Sequence, residues 1–245
     1  MNKQTKIVDL ICSLASGFNN LPKKYVNEAI NTYINDNRKY EVIKKEIMMY
    51  YEQLKRWDDF CSSDISQDIL DKSILIIGPM CCGKSAISDR LEKITLFPKI
   101  DLDDCIKLAS LYAQRGNYSY FKDFEFFLTT NVLTNLSAPT IVSFGAGHSI
   151  YDTVIERYCI EKLCHRFKHV ILLLPSYDNE VSLRVLEERL LLREGHIDDK
   201  MLQENTYFMK NNTNKLLCTN VVTTENKSLD DIANEILGIV NNTTI

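Results

Sequence analysis

The chain changes rhythm near residue 70. Before that point apolar side chains return at helical spacing: Ile43, Ile47, Tyr50, Leu54, Trp57 and Cys61 recur at alternating steps of four and three, drawing one apolar stripe along a helix. The pattern predicts helices over Lys3 to Gly17, over a segment opened by Pro22 in its first turn, and over Arg38 to Cys61. Such a stripe needs a covering surface, and packing on the following domain or on its own hairpin is the expectation. Asp58, Asp59, Ser62, Ser63, Asp64 and Ser66 form a polar connector. From Ser73 onward, short apolar runs alternate with helical patterns, the sequence form of a parallel sheet wrapped by helices. Strands are predicted at Ile74 to Ile77, Lys99 to Leu102, Thr140 to Phe144, Val170 to Leu174 and Asn220 to Thr223. The last helix opens on Ser228 as N-cap with Asp231 three residues on, and Leu229, Ile232, Ile236 and Ile239 or Val240 face inward.

This divides the chain into a helical accessory region, 1–70, and an α/β domain, 71–245. Composition narrows the function classes. With 245 residues, 45% of them hydrophobic, the chain can bury an ordinary globular core. A net charge of −4 gives no reason to expect nucleic acid as a partner. No apolar run reaches membrane-spanning length and the amino terminus lacks the order of a secretory signal, so a cytoplasmic protein with no membrane association is expected. Six of the eight cysteines are scattered without C-x-x-C spacing and read as buried thiols. The sequons at Asn117 and Asn226 carry no weight without secretion.

The chemistry starts at Gly78-Pro79-Met80-Cys81-Cys82-Gly83-Lys84-Ser85-Ala86. Residues 78–85 fit G-x-x-x-x-G-K-[ST], and the segment follows a predicted strand and opens a predicted helix, as a phosphate-binding loop must. A chance match in a chain this long is on the order of one per cent. Gly78 and Gly83 let the backbone fold closely around a polyphosphate, so that successive N–H groups and the helix amino terminus face the anion. Lys84 reaches the β- and γ-phosphates, and the Ser85 hydroxyl ligates magnesium. Cys81 and Cys82 lie against the phosphates, either inert or open to thiol-dependent inactivation.

Further candidates sit where strands end, the place where such sheets gather ligands. Asp101 and Asp103 stand two apart on an extended segment and point the same way: Asp101 for the magnesium shell, Asp103 to take or orient a substrate hydroxyl. Against this, Asp103 or Asp104 could simply cap a helix beginning near Cys105. Lys122, at the start of an amphipathic helix, is a candidate anchor for an anionic or polar substrate group. Gly145-Ala146-Gly147-His148 forms a small-residue turn that a ligand can approach closely, and His148 either bonds the substrate or caps the next helix. Arg184, Arg189 and Arg193 precede the polar segment Glu194 to Lys200, the pattern of a closing lid that delivers an arginine to the transferring phosphoryl group; Arg189 and Arg193 are the candidates, and Arg184 reads as a solvated face.

In this order these residues resemble the shikimate kinase family of P-loop small-molecule kinases: G-P-M-x-x-G-K-S, then Asp101-x-Asp103, then Phe121-Lys-x-x-Glu125 where the family has Phe-Arg-x-x-Glu, then Phe144-Gly-Ala-Gly147 where it has a triple glycine. The stretch is similar in particular to uncharacterised bacterial relatives carrying a Phe-Gly-Ala-Gly-His-Ser turn. The resemblance covers about two thirds of the chain, from about Ser73 to Val240, and none of the amino-terminal helices. It implies a three-layer fold with a five-stranded parallel sheet, ATP and Mg²⁺ as cofactors, and transfer of the γ-phosphate to a hydroxyl of a small molecule. Lys122 lacks the bidentate fork of the family's arginine, and the arginine-proline lid signature is missing after Arg189, which points to an acceptor other than shikimate. The alternative is a nucleotide-binding switch or regulatory ATPase whose amino-terminal helices contact a protein partner or a second copy.

Overall fold

Apolar β-branched runs buried on both faces make the centre of this molecule. Strand β1 (Ile74–Ile77) is buried at every position and β4 (His169–Leu174) likewise, as a parallel sheet covered by helices requires. The computed structural model describes residues 2–18, 21–62, 64–106, 118–197 and 199–242. With β2 (Lys99–Asp101), β3 (Ile141–Ser143) and β5 (Asn220–Thr223), the strands form one five-stranded sheet in the order β2-β3-β1-β4-β5, every described pair parallel. The fold expected from the sequence is the fold observed, with helices between the strands and an α-helical amino-terminal region. Strand ends differ by one residue: β2 stops at Asp101 because residues 102–106 are already helical, and β4 starts at the buried His169.

The chain forms two compact units, Met1–Ser63 with Asp152–Cys159, and Asp64–Tyr151 with Ile160–Ile245. In the first, α1 (Lys3–Ala15) packs against α2 (Lys23–Tyr33) and α3 (Tyr40–Phe60). Asn2 caps α1 by accepting from the Thr5 amide, and Pro22 occupies the cap position of α2 rather than its first turn. The buried face of α3 is Ile43, Ile47, Tyr51, Leu54 and Asp58, so the predicted stripe is turned by one position at Tyr50 and Trp57. Asp58 is buried there because the Tyr158 hydroxyl donates to it and Lys55 lies 3.7 Å away.

In the second unit α4 (Gln67–Lys72) leads into β1. Helix α5 (Lys84–Thr95) packs on β1, β2 and β3, and α11 (Leu229–Asn242) packs on α5 and β5. Ser228 and Asp231 form the expected reciprocal cap: the Ser228 amide and hydroxyl donate to the Asp231 carboxylate, and the Asp231 amide donates back to the Ser228 hydroxyl. Between β2 and β3 lies α6 (Tyr118–Thr134), and α7 (Val154–Cys164) precedes β4. Helix α8 (Asn179–Glu194) is capped by Asp178, ends at Gly195 with φ +74°, and packs against α9 (Asp199–Lys210); α10 (Thr213–Leu217) packs on β4. Asn117 of the first sequon and Ser63 of the connector lie outside the described residues. No helix among the described residues is long and apolar enough to cross a membrane.

Candidate active site

The loop after β1 owes its shape to backbone angles that few residues accept. Gly78 has φ +149°, Cys81 φ +63° and Gly83 φ +103°. A Cβ on Gly78 would stand 2.5 Å from the Leu173 carbonyl of β4 and 2.9 Å from the Cys82 sulfur, so glycine is demanded by packing as well as by angle. Cys81, with no such exemption, carries left-handed strain at the centre of the loop. Gly83 is the N-cap of α5 and no side chain bonds the helix amino terminus, which leaves its first amides to a ligand anion. Lys84 is buried and folds back, its ammonium donating to the carbonyls of Gly78 at 3.0 Å and Pro79 at 2.8 Å. Ser85 and Ala86 stand exposed in the first turn, whereas Gly78, Pro79 and Cys82 are buried beneath the loop. The Met80 amide donates to Asn205 Oδ1 of α9 at 3.0 Å, a contact across 125 positions that no local pattern announced.

A cleft of about 370 Å³ opens over this loop. Its walls are Met80, Cys81, Gly83, Lys84, Ser85 and Ala86 from the loop and α5, with Asp103, Ala146, Arg189 and Arg193. Four separate stretches of sequence thus meet at the carboxyl ends of the strands. Arg189 donates to the Thr224 hydroxyl just past β5 at 3.0 Å and reaches the Cys81 carbonyl at 3.5 Å. Arg193, at the end of α8, bonds its neighbour Glu194, and Arg184 is exposed. Burial pushes the Cys81 thiol up, against the opposing pull of Arg193 and Lys84, so the thiol form is favoured.

Asp101 caps the helical turn at 102–106, its Oδ1 accepting from the Asp103 amide at 3.1 Å. The capping proposed for Asp103 or Asp104 therefore falls to Asp101, because the helix begins three residues earlier than the sequence suggested. Asp103 is released to face the cleft. Its side chain keeps 62% exposure yet stands in a concave wall, and desolvation raises its pKa, with Lys84 pulling the other way and Asp101 adding repulsion. As to magnesium, the described residues hold no cluster of three acidic, His or Cys side chains. The Ser85 hydroxyl and the Asp101 carboxylate are hard oxygen donors of the kind that share Mg²⁺ with a substrate's phosphates, so the donor set fits that ion.

Behind Asp103 lies a second cluster. Lys122, expected to anchor a substrate group, is instead committed to protein: its ammonium pairs with Glu125 Oε2 at 2.7 Å and donates to the carbonyls of Gly147 at 3.0 Å and Ile150 at 3.3 Å. These three partners match the three donors of an ammonium group. Burial raises the Glu125 carboxyl, and Lys122 opposes the rise. Gly147 has no side chain because a Cβ would press on Lys122 Nζ at 3.0 Å and on Glu125 Oε1 at 3.1 Å. Gly145 is stricter, since a Cβ there would lie 1.9 Å from Asp103 Oδ1. His148 caps no helix: α7 starts at Val154, and Thr153 donates to Glu156 and accepts its amide. The imidazole is wholly buried, with Nδ1 2.8 Å from the Thr129 hydroxyl and Nε2 3.8 Å from both Asp103 Oδ1 and Glu125 Oε1. Burial, followed by the charges of Lys122 and Lys84, lowers its pKa to about 3 and keeps it neutral. Sequence reasoning missed Asn205, Thr129 and Thr224, whose partners are distant in the chain or ordinary in type.

No protein-family model matches the chain. A curated shikimate kinase of Flavobacterium johnsoniae is 30% identical over 116 residues, a stretch covering 40% of this chain and 66% of that protein, so the match spans about two thirds of the relative's length. Among solved structures, the shikimate kinase of Acinetobacter baumannii in complex with shikimate superposes with a TM-score of 0.53 at 14% identity, over 74% of this chain and 99% of that one. The shikimate kinase of Aquifex aeolicus gives 0.50 at 18% identity, over 71% and 98%. Each structural likeness speaks for the fold, and the curated relative carries the likeness into sequence. With the loop, Asp103 and Ala146 of the glycine turn in one cleft, the chain is a shikimate kinase-like protein of the P-loop kinase family.

Proposed function

We propose that residues 71–245 transfer the γ-phosphate of ATP to a hydroxyl of a small molecule other than shikimate, and that residues 1–70 are accessory. One observation carries the reading: the Asp103 carboxylate stands in the same cleft as Lys84, Ser85 and Arg193. Phosphoryl transfer asks a protein mainly to position two oxygens and neutralise charge. The loop amides and the start of α5 bind the β-phosphate. Lys84 leaves the carbonyls of Gly78 and Pro79 for the phosphate oxygens, and Arg193, bonded to its exposed neighbour Glu194, meets the charge that develops in transfer. Arg189, fixed on Thr224, borders the nucleotide side. Ser85 and Asp101 would hold Mg²⁺, which neutralises phosphate charge when bound. Asp103 accepts the proton of the attacking hydroxyl, and its raised pKa suits that task. The shared fold and the distant shikimate kinase relative support the same reaction class.

The test is a small-molecule pool incubated with labelled ATP and wild-type protein, Lys84→Ala or Asp103→Asn. Wild type labels a pool component, Lys84→Ala labels none, and Asp103→Asn binds nucleotide without transfer. Labelling by Asp103→Asn at the wild-type rate would remove its assigned role, and acceptor-independent hydrolysis alone would replace the kinase with a switch.

A further inference from the structure

Behind the cleft wall, His148 holds a buried imidazole nitrogen with no hydrogen-bond partner among the described residues. Nε2 makes no hydrogen bond, although the side chain is wholly buried and the atom faces the Asp103 carboxylate. The tautomer follows from Thr129. Its hydroxyl hydrogen goes to the Glu125 carbonyl one helical turn back, at 2.8 Å, which leaves the oxygen to accept from His148 Nδ1–H, also at 2.8 Å. Nε2 therefore presents a lone pair. Its neighbours, Asp103 Oδ1 and Glu125 Oε1, are acceptors too, each 3.8 Å off. An acceptor ringed by acceptors gains nothing from them; what it lacks is a donor.

Charge points the same way. Lys122, the cation nearest this cluster among the described residues, has all three donors spent on Glu125, Gly147 and Ile150. A ligand carboxylate placed at Nε2 would meet Asp103, Glu125 and a nitrogen lone pair, beside a lysine whose donors are spent. Gly145 lets Asp103 and His148 lie side by side, because a Cβ there would stand 1.9 Å from Asp103 Oδ1 and 2.7 Å from His148 Cδ2. Asp103, 62% exposed, is the flexible side chain standing 3.8 Å from Nε2, and its displacement by an incoming hydroxyl is what the subsite would require.

We propose that Asp103 and His148 Nε2 together receive two neighbouring hydroxyls of an uncharged polyol, the hydroxyl on Asp103 being the one phosphorylated and the hydroxyl on Nε2 fixing the orientation. The inference rests on the kinase reading for its first half and on the buried lone pair for its second. His148 is on this account a specificity-determining residue that selects hydrogen-bond donors over carboxylates.

The full chain with ¹⁵N-labelled histidine tests it without turnover. Long-range proton–nitrogen spectra, assigned with His148→Gln, must show Nδ1–H with a bare Nε2 at pH 7, and the Nε2 signal must move when glucitol or inositol joins the protein and Mg·ADP. An Nε2–H tautomer overturns the proposal, and so does an Nε2 signal indifferent to both polyols. Turnover then compares glucitol with gluconate, a pair that differs in a carboxylate; the neutral member should show kcat/KM higher by about tenfold or more, the worth of one good hydrogen bond. Preference for gluconate overturns the polyol assignment while leaving the kinase reading in place. A polyol-shifted Nε2 signal without any transfer would uphold the subsite and sink the kinase. His148→Leu should raise the polyol KM about tenfold with kcat nearly held, and His148→Gln, which keeps an acceptor near Nε2, should recover part of that. Equal KM values for all three proteins would overturn it.

Discussion

The two halves of the cleft are built from different materials. The phosphate side is backbone: the angles at Gly78, Cys81 and Gly83, the uncapped start of α5, and one lysine. The side proposed for the hydroxyl is side chain: Asp103 in the cleft wall and, behind it, Glu125, Lys122 and His148, held by charge and burial on three elements. A backbone nest depends on local sequence and so appears as a motif; a side-chain cluster depends on partners that only the fold brings together. The first half should therefore fail outright when touched, and the second by degrees.

The largest effect is expected from Lys84→Ala, which removes the cation of the nest: turnover falls about 10³-fold, seen as loss of labelled product. Next, Asp103→Asn lowers kcat by roughly 10²–10³-fold with nucleotide affinity intact, which calorimetric titration with Mg·ADP checks. Two glycines then separate the halves. Gly145→Ala pushes the Asp103 carboxylate, whose end can swing, and the His148 ring beside it, so turnover should drop about tenfold to a hundredfold with a smaller loss of stability than at Gly78. Gly78→Ala meets the Leu173 backbone and should cost about 2–4 kcal/mol, visible in urea unfolding. If both variants lost stability alike, the contrast drawn above would be wrong.

The smallest predicted effect depends on pH. Glu125 has a raised pKa, so the folded state holds its proton more tightly than the unfolded chain does. That contribution to stability is full below the unfolded value, 4.5, and is lost as pH rises through the folded value. Lys122 limits the loss. Lys122→Met should then destabilise by about 1–3 kcal/mol at pH 7 and by clearly less at pH 4.5, as urea midpoints at the two values would report. A constant difference across pH would mean that Lys122 acts by packing on Tyr151, over whose ring it lies at 5.1 Å, rather than by charge.

What the sequence made legible follows the same division. Gly78 to Ser85 announced themselves, and the alternation of apolar runs with helical spacing predicted every strand to within a residue, because both are local codes. The stripe on α3 was displaced at Tyr50 and Trp57 for two reasons. Stepping by three or by four keeps either stripe near the helical period, and burying Asp58 depends on the Tyr158 hydroxyl, one hundred positions away. Lys122 looked like a substrate anchor because spacing shows a cation and hides its three partners. His148 looked ambiguous because nothing local reveals Thr129 behind it.

The Met80 amide belongs to the loop that would wrap a phosphate, yet it is held by Asn205 of α9. One donor hydrogen cannot fully serve two acceptors, so an anion that claims this amide evicts the asparagine oxygen. Filling the nest and releasing Asn205 of α9, the helix that follows the arginines, would then be a single exchange, with no separate trigger between them.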